Sequence, residues 1–231
     1  MLGYLIWHGE GRPRAILERR AIGGAFFWVL EAWGRERRLN RRIRRSLAEL
    51  ASRGVRCCVI PPEWPAAWRE GLAEVDEQGL RQALFPHMLD RLAEQGRISL
   101  SGATVELSAP WADRPVWEAA RVLSRRCRYL RLRMEGAEAL RHDLWRRYGI
   151  AAGGEGPAAL QVCFGEPAGA APALLLGPGC GLRQKAVYAL PEAVSAGVAP
   201  YPVTAELVAA LWICGAVKTE EIRIQSLDFP A

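Results

Sequence analysis

At 231 residues, half of them apolar and 24% charged, the chain has a globular composition, which excludes a disordered or collagen-like polymer. Its formal charge of +6 is concentrated, because residues 35–45, "RERRLNRRIRR", hold seven Arg and one Glu. The remaining residues carry 24 basic and 24 acidic side chains, so any electrostatic role belongs to one short stretch.

In chain order, "GYLIWHG" reads as a strand, "RPRAILERR" as a short helix, and "AFFWVLEAW" as either. The apolar run at 21–34 is interrupted by Glu31 and is too short to span a bilayer. Placed before the Arg run it could lie in a membrane interface, but packing on the core is the expectation. No small-residue cleavage pattern follows it, and a cytoplasmic chain is expected. Leu39, Ile43, Leu47 and Leu50 then recur at helical spacing, Gly54 stops the helix, and "VRCCVI" at 55–60 is a short apolar strand.

Residues 79–95 read as helical, with Pro86 expected to kink or divide the helix, which would serve as a lid or a linker. Next comes a strand–helix–strand unit: strand 104–109, helix 114–125 and strand 128–134. Asp113 is its expected N-cap, with Pro115 in the first turn, where a missing N–H costs nothing. A further helix ends at Gly149, "IAA" begins a short strand, and two apolar runs at 160–165 and 173–179 suggest an edge hairpin. The apolar helix 204–217 is capped by Thr204, and the alternating 221–227 makes a last strand.

Strands alternating with helices predict an α/β fold: a Rossmann-like, mostly parallel sheet with helices on both faces. The pattern over residues 100–165 resembles degenerate Rossmann-like proteins in general. The expected division is an N-terminal α/β region over 1–98, carrying the Arg-rich helix, and a Rossmann-like domain over 99–231.

Four groups of residues are candidates for function. The loop Ser108–Pro115 stands where a dinucleotide fold has its phosphate loop, but Pro110, Trp111 and Pro115 replace the glycines that let a backbone close on a diphosphate. Glu135, just past the second strand, is placed to take a ribose hydroxyl, and the free N–H groups at Asp113 and Arg114 could take an anion. The segment "LLLGPGCGLRQK" offers a glycine loop with Cys180, Arg183 and Lys185, although the spacing matches no phosphate loop. The histidines His8, His87 and His142 have no metal-ligand or dyad spacing, and six scattered cysteines read as buried thiols, Cys180 excepted. Arg38, Arg41, Arg42 and Arg45 fall on one outward side of their helix, suited to nucleic acid, an anionic membrane or an acidic protein.

No common catalytic constellation is complete. The expectation is a cytoplasmic binding or regulatory protein, with two alternatives. One is an enzyme holding a nucleotide or other anion at the strand carboxyl ends through Asp113, Arg114 and Glu135. The other is nucleic-acid or anionic-surface binding through the Arg-rich helix.

Overall fold

A computed structural model describes residues 1–69, 71–153, 157–167, 171–177 and 185–229, apart from the side chains of 36–38. The elements in chain order are β1 (Leu2–Trp7), β2 (Arg14–Ile22), β3 (Ala25–Trp33), α1 (Glu36–Ser52), β4 (Cys57–Val59), α2 (Gln78–Glu94), β5 (Thr104–Trp111), α3 (Arg114–Ser124) and β6 (Tyr129–Glu135). They continue with α4 (Glu138–Tyr148), β7 (Leu160–Cys163), β8 (Ala173–Leu175), β9 (Lys185–Ala189), α5 (Glu192–Val198), α6 (Ala205–Ile213) and β10 (Arg223–Asp228). Two compact units result: Met1–Glu77 with Tyr188–Ile222, and Gln78–Val187 with Arg223–Ala231. Relative to a division at residue 98, α2 joins the second unit and residues 188–222 join the first.

The first unit holds a four-stranded sheet in the order β2-β3-β1-β4, with β1 parallel to both β3 and β4 and β2 antiparallel to β3. The segment expected to be a short helix at 12–20 is largely strand β2. Its helix-forming Arg and Glu residues are overridden by a two-residue turn at Gly23–Gly24, both at positive φ, which pairs Ile22 with Ala25. That turn folds β2 back along the whole of β3, so period-2 packing wins over local propensity. The ambiguous 25–33 is strand for the same reason. Leu39, Ile43 and Leu50 of α1 are fully buried with Leu5, Leu30, Trp64 and Trp68 in one core.

The second unit is built on a parallel sheet in the order β6-β5-β7-β8, flanked by helices. The crossover from β5 through α3 to β6 runs one way along the sheet, and the chain then returns past β5 to β7. The strand order therefore reverses at β5, which makes the fold α/β and Rossmann-like. The expected β7–β8 hairpin is instead a parallel pair, Gln161–Cys163 beside Ala173–Leu175. The nine-residue connection is long enough to carry the chain back to the starting end of the sheet, which a tight turn cannot do. No strand forms at 150–152.

Helix α2 runs unbroken through Pro86. Leu80, Leu84, Phe85, Met88, Leu89 and Leu92 are all buried along it, and their packing outweighs the one backbone bond that proline removes. It is thus a core helix of the second unit, not a lid. Among the described residues no helix is long and apolar enough to cross a membrane.

Candidate functional site

The strand-to-helix connection after β5 is fully occupied with its own structure. Asp113 Oδ1 accepts from the Val116 N–H at 3.1 Å, so it fills the helix N-terminus where an anion would otherwise sit. Arg114 Nε lies 2.9 Å from Glu118 Oε1, one turn along the same helix. Trp111 does not fill a crevice, because it is 66% exposed at the end of β5. A register shift between Ser108 and Trp111 sets Trp111 opposite Glu135 at the end of β6. Of the three residues expected to hold a nucleotide, Glu135 alone stands beside an exposed aromatic ring, and Asp113 and Arg114 are engaged within α3.

A cavity of about 170 Å³ opens between α2 and α3, lined among others by Gln82, Phe85, Pro86, Pro115, Glu118 and Phe164. Its walls are largely apolar, and the Gln82 side-chain amide donates to the Leu176 carbonyl at 2.8 Å.

The strands themselves hold what the sequence reading missed. Alternation and register place Val105, Leu107, Leu130, Leu132, Leu160, Val162 and Leu174 on one face of the sheet, all of them buried. Glu106, Ser108, Arg131, Arg133, Gln161 and Cys163 fall on the other. Glu106 and Gln161 are buried at 6% and 5% exposure. In register, Glu106 has Arg131 on one side and Gln161 on the other. Arg131 Nη1 is 3.4 Å from Glu106 Oε2, and Arg133 Nη1 is 4.0 Å from Glu106 Oε1. Arg133, opposite Ser108, keeps 61% of its side chain exposed. Parallel strands ordinarily bury both faces in apolar contacts and read as unbroken apolar runs. A carboxylate in the middle of such a sheet costs desolvation, which its guanidinium partners offset. The signal was present in "TVELSAP", "YLRLRM" and "LQVC", whose alternation a doubly covered parallel strand does not need.

In the first unit, Arg41, Arg42 and Arg45 are exposed on α1. Arg42 Nη1 donates to the Pro13 carbonyl at 2.5 Å, tying the helix to the turn before β2. The side chain of Arg38 lies outside the described residues, as do Cys180 and Arg183, and Lys185 is exposed at the start of β9. The His8 ring stacks on Trp33 at 4.8 Å, and the Arg14 guanidinium lies 3.8 Å from the same ring. His8 Nε2 is 2.8 Å from Glu31 Oε1, and Arg20 Nη2 is 2.6 Å from Glu31 Oε2. Burial would raise the Glu31 carboxyl, but bonds to His8 and Arg20 outweigh it and hold it below the ordinary carboxylate value. Arg20 Nη1 also donates to the Tyr201 hydroxyl at 3.1 Å, and the Tyr201 ring lies 5.1 Å from that of Tyr4. Burial, with Tyr201, Glu63 and Glu206 adding to it, pushes the Tyr4 hydroxyl up to about 12. This network joins the segment after α5 to the first sheet, so His8 has a structural part.

Burial also pushes the Cys58 thiol up to about 12 and that of Cys127 to about 11, which keeps both protonated and weakly nucleophilic. Among the described residues no cluster of three or more His, Cys, Asp or Glu could hold a metal ion.

No protein-family model matches the chain, and no curated protein matches it. Among solved structures, a shikimate 5-dehydrogenase-like protein aligns over 70% of this chain and 65% of its own, just under two thirds of its length, at 12% identity. The TM-score of that alignment is 0.26.

Proposed function

We propose that the chain is a cytoplasmic binding protein that takes a small hydroxylated anion, of the nucleotide or sugar-acid kind, at the carboxyl ends of β5 and β6. The observation that carries this reading is the polar face of the parallel sheet, which climbs from buried Glu106 and half-buried Arg131 to exposed Arg133 and Glu135. In open α/β sheets ligands sit in the crevice outside the strand carboxyl ends, and β5 borders the point, between it and β7, where strand order reverses. Arg133 would bind the anionic group with Ser108 beside it, since a guanidinium presents paired donors to a carboxylate or phosphate. Glu135 would accept from ligand hydroxyls, and the exposed Trp111 ring offers a flat surface to a base or sugar face. Glu106 and Arg131 would act as positioning residues, holding Arg133 from below.

Asp113 and Arg114, the other expected ligand groups, bind within their own helix, so the anion falls to Arg133 instead. The test is thermal shift and calorimetry with a panel of nucleoside monophosphates, NAD, NADP and a hydroxylated dicarboxylate such as malate. Saturable binding of at least one member is expected. Arg133→Met should weaken it at least tenfold while leaving the unliganded melting temperature unchanged, because the side chain is mostly exposed. No shift with any of them at millimolar concentration would sink the proposal.

A further inference from the structure

We infer that the first unit binds single-stranded nucleic acid along the face made by α1 and β2, a surface separate from the proposed ligand site. Helix α1 has 17 residues and is about 25 Å long at the usual rise. Its apolar stripe is spent on the unit's own core, where Leu39, Ile43 and Leu50 are fully buried. Arg41, Arg42, Arg44 and Arg45 are left on its exposed side. Among the described residues none of these four contacts a carboxylate. Arg44 bonds to the Asn40 side-chain oxygen and Arg42 to a backbone carbonyl, and neither partner cancels charge. Several arginines elsewhere are neutralised: Arg20 by Glu18 and Glu31, Arg53 by Glu49, Arg69 by Glu74, and Arg126 by Asp90. Glu49, on the same helix, is held by Arg53.

Guanidinium–aromatic pairs flank this row of charge. At the carboxyl end of α1, Arg53 lies 3.9 Å over Trp28, and Arg19 lies 4.4 Å over Phe26, which is 61% exposed. A line of uncompensated guanidiniums suits a run of phosphates, and flat cationic or aromatic groups beside it suit unstacked bases. That combination selects single strands over duplex, whose bases are already stacked. A membrane surface fits less well, because a helix that lies in lipid needs an apolar face free to enter it, and α1 has buried its own.

Fluorescence anisotropy of the full chain with a labelled oligothymidylate of about 20 nucleotides tests this, alongside a duplex of equal length and phosphatidylserine vesicles. With four phosphates neutralised, affinity should fall about 50-fold between about 50 and 200 mM salt. The triple variant R41Q/R44Q/R45Q should lose at least tenfold in affinity with an unchanged melting temperature. The corresponding lysine variant should retain most of the binding. Absence of saturable binding at low salt, equal affinity for the duplex, vesicle binding alone, or an unaffected glutamine variant would each overturn the inference. None of these outcomes depends on Arg133, so this test and that of the small-ligand site fail separately.

Discussion

The two sheets of this protein dispose of their charges in opposite ways. In the first unit, one face of the mixed sheet packs on α1, Trp64 and Trp68. Charges on the opposite side neutralise one another at the rim, where Glu31 receives both His8 and Arg20. In the second unit, a fully parallel sheet has one face of aliphatic side chains and carries Glu106, Arg131 and Arg133 on the other. The rim network of the first sheet binds the chain to itself and needs no further explanation. A buried carboxylate in the middle of a parallel sheet does little for the sheet that a leucine would not do, which is why it supports the proposed ligand site.

The contrast can be tested at several positions. The largest effect is expected where apolar packing alone carries the first unit. Ile43→Ala should lower unfolding free energy by about 2–5 kcal/mol, measured by urea titration as a lower midpoint with an unchanged slope. A loss under about 0.5 kcal/mol would mean that α1 is not docked on that core.

A second test uses pH. The Tyr4 hydroxyl titrates at about 12 in the folded chain, against about 10 in the unfolded one. Its folded value is raised, so its contribution is complete below about pH 10 and is lost as pH rises towards about 12. About 2–3 kcal/mol of stability should disappear over that window, and Tyr4→Phe should remove this part of the alkaline loss. Denaturation series at stepped pH would show an identical alkaline slope in the variant if the assignment were wrong.

The third test sharpens the difference between the sheets. Glu106→Gln leaves the Arg131 guanidinium facing a neutral amide and should cost about 1–3 kcal/mol. Replacing Glu106 and Arg131 together by leucine should recover much of that loss, because a well-packed apolar pair replaces a desolvated ionic one. The same double variant should weaken ligand binding at Arg133. Stability that fell further in the double variant than in the single one would show that the ion pair serves the sheet itself.

Much of the architecture was legible from residue patterns. Asp113 and Thr204 cap α3 and α6 as expected, each accepting from the N–H three residues on. The apolar spacing of Leu39, Ile43 and Leu50 located both α1 and its buried side. Strand β2 reads as helix locally because Arg and Glu favour helix in isolation, and only pairing along β3 reveals the strand. The Gly23–Gly24 pair was the available clue. The parallel β7–β8 pair is not legible locally, because two short apolar strands look alike in either direction, and the direction depends on where the intervening nine residues lead.

The candidate site was less legible. Glu135 was singled out for its position after β6, yet Glu106, Ser108, Arg131 and Arg133 passed as ordinary strand polarity. Their meaning appears only when register puts them in adjacent rows on one face. The aromatic partners of the Arg-rich surface depend on the same kind of register: Phe26 and Trp28 lie on β3, whereas Arg19 lies on β2 and Arg53 follows α1. By itself the sequence determined the α/β class, the helix caps, the amphipathic α1 and the single concentration of charge, because each depends on neighbours within a turn or two. Tertiary structure alone decided strand direction, the charged face of the parallel sheet and the guanidinium–aromatic pairs, because those depend on register between segments that the chain brings together from a distance.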